Sequence, residues 1–197
     1  MSETDRAASL PHYLRPGLRL VFIGYNPAIY SARAGHYYAR PANAFWRQLS
    51  ASGLVHREVG PEDDALLMDE SGIGFVDLCC RPTVRAEELT RSEIVAGALR
   101  LHSELLACQP GVALFSGRGI YQHFGRHALM LSSRALAGRA YGEQPERIGV
   151  TVPWVVPSSS GLARRWHGER LDWLRKLAAE LASPPMVSPV HSPAGGS

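Results

Sequence analysis

Three stretches of this 197-residue chain carry side chains able to act on a polar bond, and they stand far apart in sequence. The first is Gly24-Tyr25-Asn26-Pro27-Ala28, where a carboxamide closely follows an apolar run and Pro27 stiffens the turn. An Asn side chain can hold a water through its oxygen but cannot take that water's proton, so Asn26 offers orientation rather than base catalysis. Asn-Pro is equally a common turn starter. Just downstream, Gly35-His36-Tyr37-Tyr38-Ala39-Arg40-Pro41 places rings and a cation where no apolar periodicity asks for them, a composition suited to stacking on a planar base. The second stretch is Ile73 to Leu78, which carries Asp77 near its end. A carboxylate there either caps the next turn or assists water activation and steadies a cationic transition state. The third stretch is Val156-Pro157-Ser158-Ser159-Ser160-Gly161-Leu162-Ala163-Arg164-Arg165-Trp166. It reads either as a Ser-rich helix cap or as a loop whose amides approach a phosphate while Leu162 fills the gap left by an extruded base.

Positioning those groups requires elements that end where they begin. Leu18 to Ile23, Ile73 to Leu78, Val112 to Phe115 and Val150 to Val156 are short apolar runs bounded by Gly or polar residues, the pattern of buried strands. Pro153 interrupts the last of them, so an edge or bulged position is expected there. A long loop is expected after the first strand. Helical spacing predicts a helix capped by Asn43 and closed near Gly53, a second from Pro61 to Glu70, a long one from Thr90 to Pro110, a short one opened by Gly117 and Gly119, and an amphipathic helix from His167 to Leu181. Residues 125–149 are ambiguous between a short helix and a loop or edge strand. Strands alternating with helices imply an α/β fold of three layers, α/β/α, around a mostly parallel sheet of four to five strands. In such sheets ligands bind beyond the carboxyl ends of the strands, which is where all three stretches fall.

Composition narrows the field. The chain is expected to form a flexible arm over residues 1–13, one domain over 14–182 and a disordered Pro/Ser/Gly-rich tail over 183–197. No run approaches the ~18 apolar residues of a membrane span, and a soluble, monomeric, cytoplasmic protein is expected, associated with the nucleoid in a bacterium. Three cysteines, two of them adjacent, suggest neither disulfides nor an iron–sulfur cluster. The histidines lack HExxH spacing, so no metal is inferred, and no cofactor is implied. Gly117-Arg118-Gly119 has Gln122 where a dinucleotide loop needs its third glycine, and Ser158 to Ser160 lack a Gly-x-Ser-x-Gly elbow. The net charge is only +3, yet residues 1–57 hold seven Arg against two acids, 58–104 four Arg against eleven acids, and 118–175 nine Arg against four acids. Arg-rich stretches around the first and third motifs suit a polyanion, although Arg usage also follows genomic bias.

Taken together, the motifs carry a resemblance. Gly24 to Trp46 (GYNPAIYSARAGHYYARPANAFW) resembles the first signature of the mismatch-specific uracil/thymine-DNA glycosylases, and Val156 to Arg164 (VPSSSGLAR) resembles their second, in the expected order and separation. Asp77 to Thr83 and the helix from Thr90 resemble the family's middle region, so the likeness spans about residues 14 to 181. It implies that Asn26 holds and polarises the attacking water, that Tyr38 stacks on the flipped pyrimidine, and that backbone groups around Tyr25 read its edge with Ser158 beside it. It implies a wedge at Leu162 flanked by Gly161 and Ala163, and phosphate contacts from Arg164 and Arg165. The implied partner is double-stranded DNA with a G·U or related mismatch. The sequence departs from the family's better-known pattern at Asp77, at Pro157-Ser158-Ser159-Ser160 where some bacterial members carry an Asn-Pro-Ser arrangement, and at Leu162 where the thymine branch carries Arg. A single Lys, Lys176, disfavours a Schiff-base lyase. A monofunctional glycosylase is therefore expected, against a catalytically weak lesion-binding module and a nucleoside glycosidase.

Overall fold

A computed structural model of the chain describes residues 8–182. The expected tail over 183–197 and residues 1–7 of the expected arm lie outside the described residues. Residues 8–13 pack on the domain: Leu10 is buried, the Pro11 carbonyl accepts from the Tyr37 hydroxyl, and Tyr13 bridges Phe75 of the sheet.

Five strands form one sheet, β1 (Leu20–Gly24), β2 (Ile73–Asp77), β3 (Val112–Phe115), β4 (Gly142–Glu143) and β5 (Val152–Val155), in the order β2-β1-β3-β5-β4. All neighbours are parallel except β4 with β5. Strand side chains alternate between two cores. Leu20, Phe22, Phe75, Leu114 and Trp154 face one layer, built from α2 (Phe45–Ser50), α3 (Leu67–Ser71) and α7 (His167–Ala182). Val21, Ile23, Val76, Phe115 and Val155 face the other, built from α4 (Arg91–Cys108), α5 (Arg118–His127) and α6 (Ser133–Leu136). A sheet covered on both faces explains why its strands read as continuous apolar runs. The fold is the expected three-layer α/β/α sandwich.

Several local expectations need correction. The loop after β1 contains a one-and-a-half-turn helix, α1 (Ile29–Ala34), closed by Gly35 in the left-handed conformation with φ 77°. The helix expected over Pro61–Glu70 is a 3-10 turn, Pro61–Asp63, followed by α3. β5 is not an edge strand. Val152 and Val156 donate to the Gly111 and Phe115 carbonyls, so the missing N–H of Pro153 falls on the other side of the strand, where β4 pairs over only two residues and Gln144 donates to the Pro153 carbonyl at 2.8 Å. Residues 125–149 resolve into α6 and β4. The long helix is as expected: Thr90 and Glu93 cap α4 reciprocally, and Gly97 lets it approach β2 because a Cβ there would stand 2.0 Å from the Leu78 carbonyl oxygen.

Candidate active site at the carboxyl ends of the strands

Because β2, β1, β3 and β5 lie side by side and point the same way, Asp77, Gly24, Ser116 and Pro157 stand in a row at one end of the sheet. The loops that follow continue the pairing: Leu78 donates to the Gly24 carbonyl, Cys79 to Tyr25, Thr83 to Pro27, and Ile29 back to Thr83. The segments 24–29 and 78–83 are thus locked together beyond the sheet.

That lock orients Asn26. Its Nδ2 donates to the Arg81 carbonyl at 2.9 Å and to the Thr83 hydroxyl at 2.7 Å, with the Pro27 carbonyl at 3.4 Å. Acceptors on one side of the amide assign the nitrogen there. Oδ1 is left without a hydrogen bond among the described residues and remains an acceptor held in a fixed direction.

Tyr38 and Asp77 meet over the last residue of β1. A Cβ on Gly24 would lie 2.0 Å from Asp77 Oδ1 and 3.2 Å from the Tyr38 hydroxyl, so only glycine leaves room for both groups. Asp77 is 5% exposed, and neither carboxyl oxygen makes a hydrogen bond or ion pair among the described residues. Burial pushes its pKa up to about 7, opposed by the positive charges of His12 and Arg100. Tyr38 adopts a left-handed backbone, φ 51°, unusual for a non-glycine residue. Its ring lies flat on Phe45, centroids 4.0 Å apart and planes at 11°. The Tyr38 hydroxyl and the Ser116 hydroxyl face each other without hydrogen-bonding geometry, and both are buried and unpartnered. Burial, followed by the nearby Asp77, pushes the Tyr38 phenol far up, so it stays a donor. Unpaired buried polar atoms clustered in one place are costly, and a ligand that offers partners relieves the cost.

The third stretch is tied to this region from the other side. The Ser159 carbonyl accepts from Ala44 N at 3.1 Å, and His167 Nε2 lies 3.0 Å from the Ser160 carbonyl. Ser158 spends its hydroxyl on Ser160 N within the loop. Beyond it, Gly161–Trp166 forms a 3-10 turn from which Leu162 projects with its side chain fully in solvent, 101% exposed. Ala163 breaks the helical backbone there, and its N–H is held by the Ser160 carbonyl. Arg164 and Arg165 are exposed and carry no ion pair among the described residues; Arg165 lies 5.0 Å above the Trp166 ring. Tyr25 gives its carbonyl to Cys79, and its ring sits 5.7 Å from that of His123 on α5.

Sequence reasoning missed two groups here. Ser116 gave no signal beyond its place after a strand. Arg170 did: it lies on the same helical stripe as Leu174 and Leu177, a cation where a core residue is due. It is fully buried, donates from Nε to Gln48 Oε1 at 3.0 Å and from Nη1 to the Pro157 carbonyl at 2.7 Å, and stands 5.7 Å over Phe45. Its Nη2 has no partner, and burial lowers its pKa to about 10. Beside the site, a groove of about 610 Å³ opens between Tyr30, Arg33, Arg40 and Thr83. Thr83, which holds Asn26, separates it from the strand ends.

A row of strand-end groups, an amide with a fixed acceptor, a buried carboxyl and a projecting apolar side chain lie at or beyond the carboxyl ends of the strands. Residues 11–182 match the Uracil DNA glycosylase superfamily, and the chain belongs to that family. Its fold is similar to the solution NMR structure of a protein from Methanosarcina acetivorans provisionally assigned as a uracil DNA glycosylase. The two are 21% identical with a TM-score of 0.60, over 90% of this chain and 99% of that one. Family membership supports a DNA glycosylase, a hydrolase of N-glycosyl bonds in base excision repair. No helix among the described residues is long and apolar enough to cross a membrane.

Proposed function

We propose that this protein is a monofunctional glycosylase that extrudes uracil, and related pyrimidines, from mismatches with guanine in double-stranded DNA and leaves an abasic site. The observation that carries this reading is the meeting of Asp77 and Tyr38 over Gly24, beside an Asn26 whose oxygen is fixed as an acceptor. Cleaving the glycosidic bond builds positive charge on the sugar and negative charge on the departing base. Asn26 Oδ1 holds the attacking water, and the Asp77 carboxylate takes its proton or steadies the sugar cation. With a pKa near neutrality, Asp77 suits that role better than an ordinary aspartate. The base stacks on Tyr38, with the backbone at Tyr25 and the loop at Ser158 along its edge. Leu162, between Gly161 and Ala163, enters the duplex in place of the base, and Arg164 and Arg165 hold phosphates. A mispaired base costs less to extrude, which gives mismatches the advantage. Lys176, the single lysine, stands against Trp173 on α7 with its Nζ 5.1 Å from the ring, and water rather than this amine serves as the nucleophile in the proposed reaction.

Incubation with a duplex carrying one G·U pair, followed by alkali, tests this. Strand scission that disappears in Asn26→Ala is expected. Binding to the duplex without scission would instead make the chain a lesion-binding module, and uracil release only from free nucleosides would make it a nucleosidase.

A further inference from the structure

Beyond the base site, three titratable side chains from three parts of the chain stand in line. Cys80, on the loop after β2, has its Sγ 3.4 Å from His12 Nε2, and His12 Nδ1 lies 2.9 Å from Glu104 Oε1 on α4. With a proton on each ring nitrogen, the imidazolium donates to the sulfur on one side and to the carboxylate on the other. Nucleophile, proton acceptor and orienting acid in that order form the arrangement that activates a thiol. The groups form a chain rather than a shell, and among the described residues no cluster of His, Cys, Asp or Glu is arranged to hold a metal ion.

The surrounding charges are compatible. Arg100 Nη1 comes within 3.2 Å of His12 Nδ1, which opposes protonation of the imidazole, but that nitrogen also donates to Glu104 Oε2 at 2.6 Å. Its Nη2 donates to the carbonyls of Asp77 and Leu78 at 2.5 and 3.1 Å. His12 is raised to about 9, first by Cys80 and then by Glu104. The Cys80 thiol is held below its ordinary range by His12, while burial pushes Cys79 up to about 11 and Cys108 upward. Cys80, His12 and Glu104 are each partly exposed, whereas Cys79 and Cys108 are buried.

We infer that Cys80, with His12 as its proton partner and Glu104 orienting the ring, is a thiol-modification site for soft electrophiles, hydroperoxides in particular. The thiolate attacks the terminal oxygen of the peroxide, an S–O bond forms and the O–O bond breaks. Sulfur is oxidised by two electrons to a sulfenic acid, the peroxide is reduced, and the leaving alkoxide takes the proton from the His12 imidazolium. The site is independent of the glycosylase reading. Its sulfur nonetheless precedes Arg81, whose carbonyl holds Asn26, so an adduct falls on the loop that orients the amide.

The test uses the full chain, alkylated with iodoacetamide at a series of pH values, with each cysteine followed by peptide mass spectrometry. Cys80 is expected to react with a midpoint at least one pH unit below the ~8.5 of a free thiol, a midpoint that accessibility alone does not move. His12→Asn should raise that midpoint and slow the reaction at pH 7 roughly three- to tenfold. Glu104→Gln should act in the same direction with a smaller shift, which keeps the test open if one variant fails to fold. Brief exposure to hydrogen peroxide with dimedone should label Cys80 in preference to Cys79 and Cys108, dependent on His12. A Cys80 profile like that of a free thiol, a midpoint indifferent to both substitutions, or dimedone labelling that ignores His12 would each overturn the inference.

Discussion

Asp77 Oδ1 lies 2.0 Å from the point that a Cβ on Gly24 would occupy, so the last residue of β1 lacks a side chain where the last residue of β2 uses the space. A methyl group there forces the carboxyl to turn or the two strands to part. Misplacement of a catalytic group by about 1 Å costs on the order of 100-fold in rate. Gly24→Ala should therefore slow single-turnover excision of uracil from a G·U duplex by about two orders of magnitude, while affinity for the duplex, measured by gel shift, stays within about threefold. An unchanged excision rate would mean that Asp77 and Tyr38 need not share this space.

If Asp77 acts as proposed, it should set opposite pH trends for stability and activity. Its folded pKa of about 7 lies above the unfolded value, so the native state binds the extra proton between the two. Its contribution to stability is fullest below pH ~4 and declines as pH rises to ~7, by an order-of-magnitude total of about 4 kcal/mol. In the proposed mechanism catalysis needs the ionised form, so the rate should rise across the lower part of that range and flatten above pH ~7. Because His12 and other groups titrate too, the informative quantity is the difference from Asp77→Asn. Urea denaturation should show the variant gaining stability relative to wild type between pH 4.5 and 8, and its excision rate should be low and flat across that range. Parallel pH profiles in the two proteins would remove Asp77 from the mechanism.

β1, β2, β3 and β5 were legible because they are largely buried and bounded by Gly or polar residues, and β3 matches its expected limits to the residue, whereas the two-residue β4, with Glu143 exposed, left no pattern. α1 was not, because Ile29–Ala34 has no side-chain cap and only Ser31 is buried, so no amphipathic pattern marks it. β5 was misplaced because Pro153 excludes a central strand only if both edges are fully paired, and β4 is too short to pair the second one. Asn26 and Asp77 were legible as polar groups at strand ends, whereas the roles expected of Asn26 and Leu162 came from the resemblance, because Asn-Pro alone reads as a turn and a Ser-rich segment alone as a helix cap. The rings of Tyr37 and Tyr38 stood out because no apolar periodicity asked for them, yet Tyr37 is part of the core and Tyr38 packs against it; the contact of Tyr38 with Phe45 and its hydroxyl over Gly24 depend on a left-handed backbone that no sequence pattern announces. The Cys80–His12–Glu104 line joins residues 92 apart, from His12 to Glu104, and separations of that kind have no local signature.

Arg170 holds the loop that carries Leu162. Arg170→Met keeps the length of the side chain but leaves the Gln48 oxygen and the Pro157 carbonyl without their donor, each buried acceptor costing about 1–3 kcal/mol. Removing the unpaired Nη2 and a desolvated charge offsets part of that loss. A net destabilisation of about 1–3 kcal/mol is expected in urea denaturation, with weaker duplex affinity as the loop after β5 loosens. Wild-type stability together with reduced excision would assign Arg170 to the base rather than to the loop.

In the proposed mechanism Leu162 serves extrusion of the base and the two arginines behind it serve attachment to the duplex. The Leu162 side chain is wholly exposed and touches nothing that stabilises the fold, so Leu162→Ala should alter stability by less than about 0.5 kcal/mol. Its loss should be felt only where a base must leave a stack. Excision from a G·U duplex should therefore fall more than tenfold, whereas excision from a single strand, which has no vacancy to fill, should be unchanged. Arg164→Ala and Arg165→Ala should act on every sequence alike, each lowering the slope of log affinity against log salt by about 0.9 for one lost phosphate contact. A Leu162→Ala defect of equal size on single and double strands would make the side chain part of the base pocket, and an unchanged salt slope would place the arginines off the DNA.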